Sequence, residues 1–277
     1  MLYNETLQQL KQLKLTGFVE ALEEQNQSTL YETLSFEERL GLLVDREYAK
    51  RSKNKIQRLI SQAKFQNSQA CIEDVNYHLT RKIDCKMIQE LGTCQYIRHA
   101  RNVNIYAATG AGKSYLGQAL GNAACRQGIT TRYVQLPELL EQLKIAREQG
   151  AEKLAKLRKQ YTNVRLLIID EWLLFKIDTL ETEMLIRLID QRASRHSTIV
   201  ISQYEPAEWL QQISVHAAAE AIRLTPLSWK AKSPCASCQL THSHGLQHAR
   251  WVTFVVRARG LITARGWTSL SEVSNLP

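Results

Sequence analysis

Apolar residues in the first third of this chain recur at helical spacing. Leu7, Leu10 and Leu13 fall three apart, and Phe18, Ala21 and Leu22 resume the pattern after Gly17, so helices rather than strands are predicted. Ser35-Phe36-Glu37-Glu38 has the form of a capping box, in which hydroxyl and carboxylate satisfy amides left free at a helix start. Behind it Phe36, Leu40, Leu43 and Val44 make one apolar stripe. Residues 48–65 then turn basic. Ala49, Ile56, Leu59, Ile60 and Ala63 share one helical face, and Lys50, Arg51, Lys53, Lys55, Arg58 and Lys64 occupy the rest. A solvated face of a core helix explains this pattern. So does a helix packed by one side that offers cations to phosphates with the other.

From residue 102 the pattern changes to short β-type runs separated by helical ones. Val103–Tyr106, Thr130–Val134, Arg165–Ile169 and Thr198–Ser202 read as strands. Helices are predicted over 113–127, from Pro137 to Gly150, again after Gly150, and from Asp178 with Glu181 to about Arg195. This alternation predicts an α/β fold with a parallel sheet flanked by helices, preceded by an all-α N-terminal region. The predicted division is a helical region over 1–95, an α/β domain over 96–224 and an atypical tail over 225–277. That tail is rich in Ser, Cys, His, Trp and Arg, and Trp251–Val256 is its only strand-like run. With no amphipathic stripe long enough to cover a sheet, residues 226–277 are expected not to pack into the core.

Composition narrows the class. Of the 277 residues 44% are apolar and 23% charged, as in a chain able to build a real core. No apolar run approaches the ~20 residues of a membrane-spanning helix. The polar, periodic N-terminus has no secretory leader, and six cysteines are too sparse for a disulfide scaffold, so a cytoplasmic setting is expected. The net charge of +9 is uneven: residues 222–277 hold 7 Lys/Arg against one acidic residue, while residues 1–100 hold 14 against 13. A polyanionic partner fits the total.

The strongest local signal is Ala107-Ala108-Thr109-Gly110-Ala111-Gly112-Lys113-Ser114, directly after a strand and opening a helix. It has the form of a phosphate-binding loop with Ala107 in place of the first glycine. Small residues let successive amides point inward at a phosphate, and the helix start adds partial positive charge. Lys113 would reach the β- and γ-phosphates of ATP and Ser114 would hold Mg2+. Thr109, Gly110, Ala111 and Gly112 complete the cradle. The apolar strand ending in Asp170-Glu171 places one carboxylate to hold Mg2+ and a second to deprotonate an attacking water. Gln203, at the end of the next strand, is placed to touch the γ-phosphate or that water.

With these motifs in order, the chain resembles the IstB-type ATP-binding helpers of insertion-sequence transposition, relatives of DnaC-type helicase loaders within the AAA+ ATPases. The resemblance covers roughly residues 5–224. It is carried by LKQLKLTGFVEAL, LSFEERLGLLVDRE, NVNIYAATGAGKSYLGQALG, LLIIDEWLL, ETEMLIRLIDQR and STIVISQYEPAEW. It implies an ATPase that forms a homo-oligomer on double-stranded DNA and presents that DNA to a transposase, with Lys50, Arg51, Lys53, Lys55 and Arg58 as DNA contacts. A helicase loader, or an ATP- and DNA-binding protein without turnover, are the alternatives.

The chain departs from that pattern at Ala107, and near Arg223, the residue placed to act as a finger toward a neighbouring subunit, where two residues are missing. After Thr225 the resemblance ends, as a reading-frame change would produce. Cys235-x-x-Cys238 and His242-x-His244 are zinc-type ligands, but the three residues between the pairs are far fewer than the ~12–15 of a zinc finger. The cluster reads as an accident of composition.

Overall fold

The computed structural model describes residues 2–75, 85–206, 208–213 and 251–255. The chain divides into two compact units, Met1–Arg58 and Leu59–Pro277.

The first unit holds α1 (Leu2–Gln12), α2 (Thr16–Gln27) and most of α3, which runs Phe36–Ala63. The capping box forms: Glu38 N donates to Ser35 Oγ at 3.2 Å, and Ser35 N to Glu38 Oε2 at 2.8 Å. The start of α2 is capped from a distance, because Gly17 N and Phe18 N donate to Glu47 Oε2 at 2.7 and 3.0 Å. A methyl group at Gly17 would lie 3.0 Å from Glu47 Cα, so only glycine lets the two helices approach this closely. The apolar stripe lies on α3 but is covered only in part. Leu43 is buried, whereas Phe36, Leu40 and Val44 are exposed at 74%, 38% and 52%. The row that meets α2 runs Arg39–Leu43–Glu47, with Gln25 Nε2 bonded to the Arg39 carbonyl at 3.0 Å. The Phe36–Leu40–Val44 row lies about 100° round the helix from it.

Among the described residues the second unit holds five strands: β1 (Asn102–Tyr106), β2 (Thr131–Gln135), β3 (Leu166–Asp170), β4 (Ser197–Ser202) and β5 (Trp251–Val255). All pairings are parallel and the order is β2-β3-β4-β1-β5. Helices α4 (Cys85–Gly92) and α5 (Gln95–Arg98) precede β1. Helix α6 (Lys113–Arg126) follows it, and α7 (Leu136–Glu148) and α8 (Ala151–Thr162) bridge β2 to β3. Helix α9 (Thr179–Arg192) links β3 to β4 and starts on the Asp178–Glu181 capping box. Period-2 alternation splits the apolar residues between two faces. Ile168, Ile199 and Ile201 pack with Leu116 and Leu120, and Leu167, Ile169 and Val200 pack with Leu139, Leu143, Leu185 and Leu188. The expected α/β sheet behind a helical N-terminal region is therefore present.

Two details differ from expectation. Helix α9 stops at Arg192, not Arg195, where Ala193 turns to a ψ of 133° and Ser194 to a φ of 71°, and the buried Arg192 guanidinium turns inward. There it donates to the carbonyls of Tyr161, Val164 and Ser197 and to Thr198 Oγ1. Burial lowers its pKa to about 9. The second correction concerns the tail: residues 251–255 add to the sheet as β5, from Asn102↔Trp251 to Tyr106↔Val255. Backbone pairing needs no amphipathic helix, which is why the composition of the tail did not reveal it. Arg223 and the Cys235, Cys238, His242, His244 group lie outside the described residues.

Candidate functional site

The phosphate loop occupies the turn between β1 and α6. Gly110 and Gly112 have φ of 75° and 81°, the left-handed region that glycine enters without strain. Ala107 does not lie in that region, so replacing the first glycine strains nothing. Its amide donates to the Ser202 carbonyl at 3.3 Å and ties the loop to the end of β4. Among the described residues no side chain caps the start of α6, which leaves its first amides for an anion. Lys113 is buried yet has no ion pair among the described residues. Burial lowers its pKa, opposed by the charges of Asp170 and Glu171. A buried ammonium without an ion pair, beside amides that no described side chain caps, fits a polyphosphate.

The parallel sheet brings the other expected residues to the same edge, since β1, β3 and β4 all end there. Asp170 is buried. Its Oδ1 accepts from the Glu171 amide at 2.7 Å and its Oδ2 from the Tyr133 hydroxyl at 2.8 Å. Glu171 has a φ of 54°, a conformation that costs a non-glycine residue about 1–3 kcal/mol and recurs at functional sites. Burial raises its pKa, the Asp170 charge adds to this, and Lys113 opposes it. Gln203 accepts from Thr109 Oγ1 at 2.7 Å, so β4 and the loop are linked by side chains as well as backbone. Ser114 sits in the first turn of α6, half-buried. Among the described residues no group of three acidic, His or Cys side chains forms a metal cluster, so a metal here would rest on Ser114, Asp170 and a nucleotide.

Sequence reasoning missed three groups. Tyr133 and Gln135, both on β2, reach the carboxylates directly, Gln135 Nε2 donating to Glu171 Oε1 at 2.9 Å. Residues 67–71 lie along α6: Asn67 N donates to Gln118 Oε1, Asn122 Nδ2 donates to the Ser68 and Ala70 carbonyls, and Cys71 N donates to the Tyr115 hydroxyl. A signal existed, because Tyr115, Gln118 and Asn122 recur at helical spacing on an otherwise apolar helix.

The predicted DNA-contacting cations stand in the first unit on α3. Lys50 pairs with Glu20 at 2.6 Å and Arg51 with Glu47 at 2.5 Å. Lys53, Lys55 and Arg58 are exposed and form no ion pair among the described residues.

Residues 8–232 match the family described as IstB-like ATP binding protein. An ATP-binding protein described for insertion sequence IS1162 of Pseudomonas fluorescens is 41% identical over 203 residues, covering 73% of this chain and 87% of its own length. The insertion-sequence ATP-binding protein y4pL of Sinorhizobium fredii is 34% identical over 222 residues, 80% of this chain and 89% of its own. The DnaC helicase loader structure overlays with a TM-score of 0.47 and 17% identity, covering 55% of this chain and 91% of that one.

Proposed function

The chain belongs to the IstB-like ATP-binding protein family, and from that premise we propose that it is a DNA-dependent ATPase serving transposition. It takes ATP with Mg2+, hydrolyses it, assembles as a homo-oligomer on double-stranded DNA and presents that DNA to a transposase. The observation that carries the ATPase reading is the meeting of Lys113, Asp170, Glu171 and Gln203 at the ends of three adjacent parallel strands. DNA engagement is assigned to Lys53, Lys55 and Arg58, with Lys50 and Arg51 secondary. Phosphate contacts of this kind give affinity without a base code. Arg223 remains the candidate to reach a neighbouring subunit's nucleotide.

Lys113 and the loop amides would hold the β- and γ-phosphates at the start of α6. Mg2+, held by Ser114 and Asp170, would neutralise phosphate charge. Glu171 takes the proton of the attacking water. A carboxylate raised from its ordinary pKa is a better base for this than a solvated one. Gln203 orients that water from the end of β4.

Phosphate release with and without double-stranded DNA tests this reading. Lys113→Ala should lose ATP binding, and Glu171→Gln should bind ATP normally and lose turnover, because a carboxamide accepts no proton. Parental turnover in the Glu171 variant would remove that residue as the base.

A further inference from the structure

The end of α3 and the edge of the sheet meet at one side chain. After Ala63 the chain turns through Lys64, whose φ is 60°. Phe65 then packs its ring against that of Tyr133, with centroids 6.5 Å apart. The Tyr133 hydroxyl has two acceptors, Asp170 Oδ2 at 2.8 Å and Gln66 Oε1 at 3.3 Å, and one proton to give. The neighbouring Arg132 Nη1 donates to the Gln62 carbonyl at 3.1 Å, so β2 grips this segment at a second point. Both Tyr133 and Asp170 are buried, at 4% and 2% exposure, so water cannot replace a lost contact. Among the described residues, Tyr133 supplies the one side-chain hydrogen bond to Asp170.

We propose that Tyr133 is a positioning residue for Asp170. Its hydroxyl fixes Oδ2 and, because Gln66 is the competing acceptor, makes the setting of the carboxylate depend on the segment that follows α3. The inference rests on the reading of Asp170 as a Mg2+ ligand. Partners of this kind hold a ligand in the orientation a metal requires, and their loss typically weakens metal binding about 10- to 100-fold. The proton that goes to Gln66 is withdrawn from Asp170, so displacing residues 64–66 would loosen the carboxylate without touching nucleotide.

The test is a Mg2+ titration of the affinity of the full chain for a fluorescent ATP analogue, with an EDTA arm. Tyr133→Phe keeps the ring against Phe65 and removes only the hydroxyl. It is expected to leave affinity in EDTA unchanged and to raise the Mg2+ requirement about 10-fold. Gln66→Ala removes the competitor and is expected to lower that requirement about twofold, the worth of one weak hydrogen bond. Opposite directions in the two variants are what a purely packing role would not produce. An unchanged requirement in Tyr133→Phe, or an unchanged or raised one in Gln66→Ala, overturns the proposal. Should Tyr133→Phe fail to fold, Gln66→Ala decides alone. A parent chain whose nucleotide binding ignores Mg2+ overturns the reading of Asp170 as a Mg2+ ligand, and the proposal with it, while phosphate release tests the ATPase reading separately.

Discussion

Thr109 and Gln203, 94 residues apart in sequence, are joined by a 2.7 Å hydrogen bond from the threonine hydroxyl to the glutamine carbonyl oxygen. The contact spans β1 and β4, which are adjacent in the sheet, and holds the Gln203 amide over the phosphate loop. Gln203→Ala is expected to lower turnover about tenfold, equivalent to roughly 1.4 kcal/mol of transition-state stabilisation, with ATP affinity within about threefold. Thr109→Val, which frees the amide but keeps it, should alter turnover by less than about threefold. Single-turnover phosphate release separates the two. Equal losses would assign the effect to loop shape and not to the amide.

Charge reversal on α3 should separate two classes of cation. Lys53→Glu, Lys55→Glu and Arg58→Glu together should weaken binding evenly across DNA sequences. The slope of log K against log[salt] should flatten by roughly 0.9 per lost phosphate contact. Lys50→Glu and Arg51→Glu should cost less DNA affinity and more helical stability, since each breaks an ion pair with Glu20 or Glu47. Anisotropy titrations from low to moderate salt would show it. Unchanged slopes would make the basic face merely solvated.

Acid should unravel the α2–α3 contact through Glu47. Burial works against its charge, but Arg51 and the amides of Phe18 and Gly17 outweigh that, so its folded pKa lies below the ordinary 4.5. A lowered folded value means stability that is present above 4.5 and lost as pH falls through the folded value. Glu47→Gln should cost about 1–3 kcal/mol at neutral pH, and the difference from the parent should shrink toward pH 3. Denaturant melts of the helical signal at the two pH values give the comparison.

Gly121 on α6 leaves room for the segment after α3. A Cβ there would lie 2.6 Å from Ile168 Cδ1 and 2.7 Å from Phe65 Cε1. Gly121→Ala gains about 1 kcal/mol of helix propensity but overpacks the site by about 1–3 kcal/mol. A drop in melting temperature of about 4 °C is expected. A rise would mean that Phe65 moves aside freely.

The candidate site was legible where it is written in one contiguous stretch. Ala107–Ser114 and Asp170-Glu171 announce themselves because loop, strand and charge are adjacent in sequence, and local spacing carries the physics. Tyr133 was not readable. A tyrosine inside a strand looks like an ordinary β-former, and its partner lies 37 residues away. The exposure of Phe36 was equally hidden, since periodicity defines a face but not the neighbour that covers it. Lys50 and Arg51 read as free cations because Glu20, on another helix, and Glu47, one turn back on α3, leave no mark in a charge count. The tail misled for a different reason: an edge strand is specified by the open hydrogen-bonding side of β1 as much as by its own residues.

That open side has a consequence for handling the protein. β1 carries the phosphate loop and is bonded to β4 on one flank and to residues 251–255 on the other. A chain cut before Trp251 would leave a bare ladder of amides and carbonyls beside the loop, and such an edge templates strands from other molecules. Cutting there moves the open edge of the sheet from residues 251–255 to β1, beside the phosphate loop, and such shortened preparations should clump during concentration.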